Sequence, residues 1–304
     1  MSENNKNTEI VSECPQTPEA PKHYWNIQIS PKDHLLTLDW KEMWRYRDMY
    51  WLFVMRSFKT AYKQTILGPL WFLITPVLSV IVYVAVFGGI ANIPTDGVPP
   101  ALFYLLGISV WGYFASCLSS TGNSFVSNAD IFGKVYFPRL IMPLVAVTVN
   151  VLSFLIQLAI FFAFYIYYRI CPMEGMALQM HWHVVLFPIL MFILAMMAVG
   201  FGMIVSSMTT KYRDLQIAFA KIISLWVYIT PVIYPLSMVT NPKLHFAMSL
   251  NPVTPIIEAI KYSLLGVGQF SWLWLGYSVL MTAILLIIGL MLFNKVQKSF
   301  MDTV

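Results

Sequence analysis

Charge is scarce in this sequence: Asp, Glu, Lys and Arg make up 11% of its 304 residues. So few charges do not cover a water-facing surface, which excludes a soluble enzyme and a disordered chain. Cysteine is scarcer still. Cys14, Cys117 and Cys171 are odd in number and widely spaced, so they make neither a disulfide framework nor a zinc site. A Gly-x4-Gly-Lys-Ser/Thr phosphate loop is absent, because Gly133 and Lys134 have neither the earlier glycine nor the following hydroxyl. Any ATP-driven work therefore needs a second polypeptide. Paired carboxylates are also missing. Asp96, Asp130, Glu174, Asp214 and Glu258 are solitary, which leaves acid–base hydrolysis unsupported. Ionisable residues are rare inside the apolar runs, Lys221 being the main exception, and no internal repeat is visible, which argues against an ion-coupled carrier.

What is present is apolar. Hydrophobic residues make up 58% and aromatics 15%, with 18 Met and a mean hydropathy of +0.68. Six runs, roughly 70 to 91, 101 to 126, 139 to 168, 184 to 208, 215 to 235 and 271 to 294, approach the ~20 residues that a helix needs to cross a bilayer core of ~30 Å. This predicts an all-α integral membrane protein with six transmembrane helices. An even number returns both termini to one side. If that side is cytoplasmic, residues 1–69, 127–139, 209–221 and 295–304 hold 16 of the 19 Lys and Arg and leave Arg169, Lys243 and Lys261 outside, as the positive-inside rule requires. The formal charge of +5 follows from this topology and implies no nucleic acid.

Residues 1–36 are polar, carry Glu3, Glu9, Glu13 and Glu19, and read as a flexible cytoplasmic tail without a signal-peptide core. Residues 37–64 form an interface-helix region ahead of the membrane domain at 65–304. At about 100° per residue, Trp40, Met43, Trp44, Tyr46, Tyr50, Trp51, Phe53 and Val54 fall on one half of a helix. Lys41, Glu42, Arg45 and Asp48 fall on the other, with Arg47 placed to snorkel. An amphipathic helix in the headgroup plane fits this pattern, the alternative being a soluble helix packed on a partner. Between Leu236 and Phe270, Pro242, Pro252, Pro255, Gly266 and Gly268 cut the chain into pieces of about ten residues, too short to cross. A re-entrant helix pair is predicted there, with Glu258 and Lys261 three apart and able to pair. An ordinary external loop is the alternative. His181 and His183 read as an interfacial pair rather than a metal site.

Five segments carry more than composition: Arg47-Asp48, TILGPLWFLITPVL at 65 to 78, GKVYFPRL at 133 to 140, KYRDL at 211 to 215 and LNPVTPIIEAIKYSLLG at 250 to 266. In this order they resemble the membrane subunit of bacterial ABC-2 type polysaccharide exporters, which move O-antigen, capsular polysaccharide and teichoic acid. The match spans about residues 38 to 296 and leaves the polar N-terminus outside.

The resemblance implies an ABC-2 type transporter fold and a channel-forming permease for lipid-linked polysaccharide in the bacterial cytoplasmic (inner) membrane. It implies a homodimer working with two copies of an ABC ATPase. This chain is then no enzyme and binds no cofactor, ATP and Mg residing on the partner subunit. It also implies an interface helix (Trp40, Trp44, Arg47, Asp48, Trp51), a coupling helix between spans two and three, and outer gate helices (Asn251, Pro252, Pro255, Glu258, Lys261).

Lys134, Tyr136, Phe137 and Arg139 in one inside loop suit a docking surface for the ATPase, since Tyr and Arg are favoured interface anchors, while Tyr212, Arg213 and Asp214 in the next either serve docking or gating or anchor the end of span four. Positive-inside anchoring explains Lys134 and Arg139 alone, but not the aromatic pair. Sugar rings stack on aromatics, which makes Tyr83, Trp111, Tyr113, Trp226, Tyr228 and Tyr234 candidates for a channel wall or, alternatively, for an interfacial belt. Ser116, Ser119, Ser120, Thr121, Asn123 and Ser124 either line a polar path or serve as helix contacts. Other readings are an ABC-2 exporter of a lipid or drug, and a membrane assembly scaffold without transport.

Overall fold

Where no water reaches the backbone, every amide must find its partner within the chain, and helices meet that demand segment by segment. The computed structural model describes residues 40–300 apart from 64–65, 133, 136, 173–175, 177, 211 and 213. Helices and short connections account for this part, and no strand occurs among the described residues. Two helices, α1 (Trp40–Arg45) and α2 (Arg47–Tyr62), precede α3 (Trp71–Tyr83), which loosens into a π-helix at Val84–Ile90. Next come α4 (Pro100–Gly122), the single turns α5 (Ser124–Ser127) and α6 (Ala129–Phe132), α7 (Ile141–Ile170) and α8 (Phe187–Thr209). The chain ends with α9 (Asp214–Ile229), α10 (Pro242–Ser249), α11 (Thr254–Leu265) and α12 (Trp272–Phe300). Proline sits in the first turn of α4, α8, α10 and α11, where its fixed φ suits the helix and its missing N–H costs nothing.

Among the described residues, five helices are long and apolar enough to cross a membrane: Leu73–Ile90, Pro100–Gly122, Ile141–Ile170, Trp182–Thr209 and Trp272–Gln297. The sixth expected span, 215 to 235, is realised differently. Its helix α9 has 16 residues, about 24 Å at 1.5 Å per residue, against a core of ~30 Å. Pro231 is the reason, since its ring clashes with the carbonyl four residues back and turns the chain at Thr230. Even so, α9 runs alongside α4, with Trp226 packed on Trp111 and Gln216 near Asn123. Its start lies near Asn123 at the end of α4, the proximal end, and the turn after it, at Thr230 and Pro231, meets Asn251 and Lys261 at the other, distal end. Where the re-entrant pair is expected, the chain forms two short helices of 8 and 12 residues, α10 and α11. Of these, α11 is buried against α4, α8 and α12.

Helix α8 is the axis of the bundle, packing on α4, α12, α9 and α11. Glycine lets it approach its neighbours. A Cβ at Gly289 of α12 would stand 2.5 Å from the Gly200 carbonyl oxygen, and one at Gly202 would stand 2.5 Å from Thr121 Cβ of α4. Such small-residue seams replace the hydrophobic drive that lipid removes. Across the second seam Ser124 and Ser206 hydroxyls meet at 3.2 Å, so Thr121 and Ser124 act as helix contacts.

Gly289→Val forces α8 and α12 apart and is expected to cost about 1–3 kcal/mol, read as a lower melting temperature in detergent. Gly276→Val, where a Cβ meets open space, serves as the control and is expected to melt close to wild type.

Candidate functional site

At the distal end, three elements close on the turn that follows α9. Gly107 of α4 lies against it, with room for no side chain: a Cβ there would come 2.7 Å from the Val232 carbonyl oxygen. Asn251 donates from Nδ2 to the Thr230 hydroxyl at 2.9 Å, and its Oδ1 accepts the Val253 amide at 3.2 Å. Pro252 follows it and Pro255 lies in the first turn of α11. From the body of α11, the Lys261 ammonium donates to the Pro231 carbonyl.

Lys261 is paired as well as hydrogen-bonded. Its Nζ lies 3.7 Å from Glu258 Oε1, one turn earlier, and the two side chains are 1% and 2% exposed. The other oxygen of Glu258 accepts the Gln269 amide at 3.1 Å. Gly268 makes this contact possible, because its φ of +111° is closed to side chains and a Cβ would lie 3.1 Å from Glu258 Oε2. On the remaining side the ammonium faces the Phe103 ring at 4.2 Å. Exposed Asp96, which accepts the Ser237 hydroxyl at 2.9 Å, is close enough to act electrostatically on both partners. The spacing predicted the pair, but not its burial or its partners Pro231, Phe103 and Gln269.

Next to α11, His181 stacks on Tyr262 at 4.4 Å and His183 packs on Phe270 at 4.6 Å. Among the described residues no group of three His, Cys, Asp or Glu is placed to hold a metal.

The proximal loop is arranged differently from its sequence reading. Phe137 is 4% exposed and Arg139 7%, so both face inward. Phe137 meets Phe53 of α2 at 5.5 Å and Phe132 at 5.6 Å. Arg139 lies over the Phe132 ring at 5.5 Å and donates from Nη1 to the Gln297 carbonyl at 2.7 Å. Burial lowers its guanidinium pKa from the ordinary value, and that carbonyl near the end of α12 is a suitable acceptor for a cation. Lys134 is exposed at the loop tip, as are Tyr212 and Asp214 before and at the start of α9. Tyr136 and Arg213 lie outside the described residues, as does the 1–36 tail.

The interface helix is broken at Tyr46, which separates α1 from α2. Trp44 is 71% exposed with the Arg47 guanidinium 5.6 Å from its ring, and Arg47 Nε lies 3.7 Å from Asp48 Oδ1 on the surface. Trp51 is exposed, whereas Phe53 and Val54 are buried and Tyr50 bonds Thr148 of α7 through its hydroxyl. The Trp40 side chain lies outside the description.

Of the six proposed wall aromatics, Tyr228 is exposed. Trp111 and Tyr113 are core residues, packed on Trp226 at 6.0 Å and Phe154 at 5.2 Å. Tyr83 sits beside Tyr104, and Tyr234 donates to the Tyr228 carbonyl at 3.0 Å.

Lys261→Met strands the Glu258 carboxylate and is expected to destabilise by about 3–5 kcal/mol. The Glu258→Gln/Lys261→Met double variant is expected to recover most of that in the same unfolding assay. A double variant less stable than the single one would show that the pair does not hold this end.

The ABC-2 type transporter family model matches residues 49–265, a stretch that contains both the proximal loops and the clasp on α9. The O-antigen export system permease protein RfbA of Myxococcus xanthus is 28% identical over 222 residues, 73% of this chain and 82% of that protein. A protein of the same name from Klebsiella pneumoniae is 27% identical over 255 residues, 84% of this chain and 94% of its own length. With more than half of its length matched, the chain belongs to the ABC-2 type transporter family.

Proposed function

We propose that this chain is the channel-forming permease of an ATP-driven exporter that moves lipid-linked cell-surface polysaccharide across the bacterial inner membrane. Two copies form the channel and two copies of a separate ABC ATPase, carrying ATP and Mg, drive it. The two relatives named for O-antigen export support the cargo, and they align over most of both chains. Sixteen of the 19 basic residues lie in the regions assigned to one side, which supports cytoplasmic termini.

The observation that carries the mechanism is the course of α9. It begins beside the exposed Tyr212 and Asp214 and ends in the grip of α11, and along its length it is half-buried or exposed. A helix gripped at its far end and loosely packed along its body transmits displacement from its exposed start to that grip. In this reading the ATPase touches Lys134, Tyr212 and Asp214. Phe137 and Arg139 act one step removed, tying the loop to α2 and α12. At the far end Asn251, Pro252, Pro255, Glu258 and Lys261 form the outer gate, with Tyr228 and its neighbours Trp226, Tyr234 and Tyr83 nearest the path.

A second reading, export of a lipid, has one feature in its favour. An apolar groove of about 520 Å³ lies between α4, α7 and α8, lined by Phe154, Leu155, Phe187 and Met191, with Tyr50 and Thr148 at its proximal end. The same groove is large enough for the lipid part of a lipid-linked polymer, so it does not favour the lipid cargo over the polymer.

Purification of the tagged chain from its host in mild detergent is expected to recover a Walker-motif ATPase in about equal amount. Recovery of the chain alone, even after cross-linking in membranes, would remove the central requirement. Lys134→Glu is expected to cut ATPase recovery severalfold without lowering the melting temperature. Arg139→Ala is expected to lower the melting temperature, having lost its bond to Gln297.

A further inference from the structure

Lys221 is the basic residue of α9, and neither end of that helix uses it. It stands in an i, i+4 row with Ile217, Leu225 and Ile229, all exposed and all apolar. A lysine in such a row is expensive in lipid unless an anion or headgroup meets it. Its position is about 10 Å along the helix from Asp214, within the reach of a snorkelling side chain toward the proximal surface.

The surroundings show what it meets. Lys221 lines a cleft of about 290 Å³ between α4, α8 and α9, together with Ser119, Asn123 and Gln216 on an apolar base that includes Val205 and Phe219. Among the described residues, none of the four polar side chains has a hydrogen-bond or ionic partner. Among the described residues no acidic side chain lines the cleft. One ammonium, two amides and a hydroxyl therefore converge as free donors, the composition that anions require. The volume is at the small end of ligand sites and fits a headgroup rather than a whole lipid. The exposed Leu225 and Ile229 continue from the cleft along α9 and offer an apolar track for a chain attached to that headgroup.

We propose that this cleft is a binding site for the phosphate group of a lipid, with Lys221 as the charge partner and Asn123, Gln216 and Ser119 as neutral donors. The site depends on the fold alone and stands whether or not the cargo is polysaccharide. The phosphate belongs either to a bilayer phospholipid or to a lipid that ends in a phosphate monoester.

The test is binding of dodecyl phosphate to the full chain in a maltoside detergent, followed by native mass spectrometry or calorimetry. One site per chain is expected, and Lys221→Gln is expected to weaken it about tenfold or more, the loss of one charge-assisted hydrogen bond. Lys221→Arg should retain binding, and Lys243→Gln at the distal end should leave it unchanged. Competition by phosphatidylglycerol, but not by phosphatidylcholine, assigns the site to anionic phospholipids. Resistance to phosphatidylglycerol assigns it to phosphate monoesters. Equal binding by wild type and Lys221→Gln, or binding no stronger than that of a neutral dodecyl sugar, overturns the proposal. Because Lys221 is exposed, its replacement leaves the melting temperature as an independent check of folding.

Discussion

A dehydrated ion pair cannot drift. Once Lys261 and Glu258 are buried, each needs a fixed partner on every side, and the structure supplies them from separate parts of the chain: Pro231 after α9, Phe103 on α4 and Gln269 before α12. The distal end follows from this requirement. Gly268 adopts its unusual backbone so that the Gln269 amide reaches the carboxylate, and α11 is drawn into contact with α4, α8 and α12. Buried pairs of this kind contribute little net stability but penalise any arrangement that separates them. The outer gate proposed for this end needs that property, since its states should be few and distinct rather than graded.

The proximal end obeys the opposite rule. Its pair Arg47 and Asp48 is on the surface, where screening leaves it worth little, and cohesion comes from rings instead. Phe53, Phe132 and Phe137 form one cluster, Phe125 stacks on Phe293 of α12 at 4.4 Å, and Arg139 joins the loop to α12 through Gln297. The connection between α4 and α7 is therefore attached to both the interface helix and the last helix. Under the proposed mechanism, a push on the loop tip reaches several helices together. In that mechanism α9 delivers it to the distal turn.

Long apolar runs made the helices legible in the sequence. The runs at 101 to 126, 139 to 168 and 271 to 294 became α4, α7 and α12 with shifts of a few residues, because periodicity and hydropathy are local properties. Pairing of Glu258 with Lys261 was legible too, since a spacing of three fixes proximity on a helix. What resisted reading was non-local. Nothing in KVYFPRL shows that Phe137 and Arg139 turn inward, because a short loop has no period from which to assign a face. The expected span of 215 to 235 runs through Pro231, but the helix stops before it, and the Pro231 carbonyl accepts from a lysine 30 residues away. Trp111 and Tyr113 resembled wall residues by type, but their burial depends on how α4 packs against α7 and α9.

The proposed function requires coupling between ATP hydrolysis and movement of a polymer through this chain. Inside-out vesicles carrying the chain with its copurified ATPase test that coupling directly, by measuring polysaccharide that becomes protected within the vesicle. The account requires accumulation that starts with ATP, stops with a non-hydrolysable analogue and is indifferent to ionophores. Accumulation that proceeds without ATP, or that collapses with an ion gradient, would contradict it.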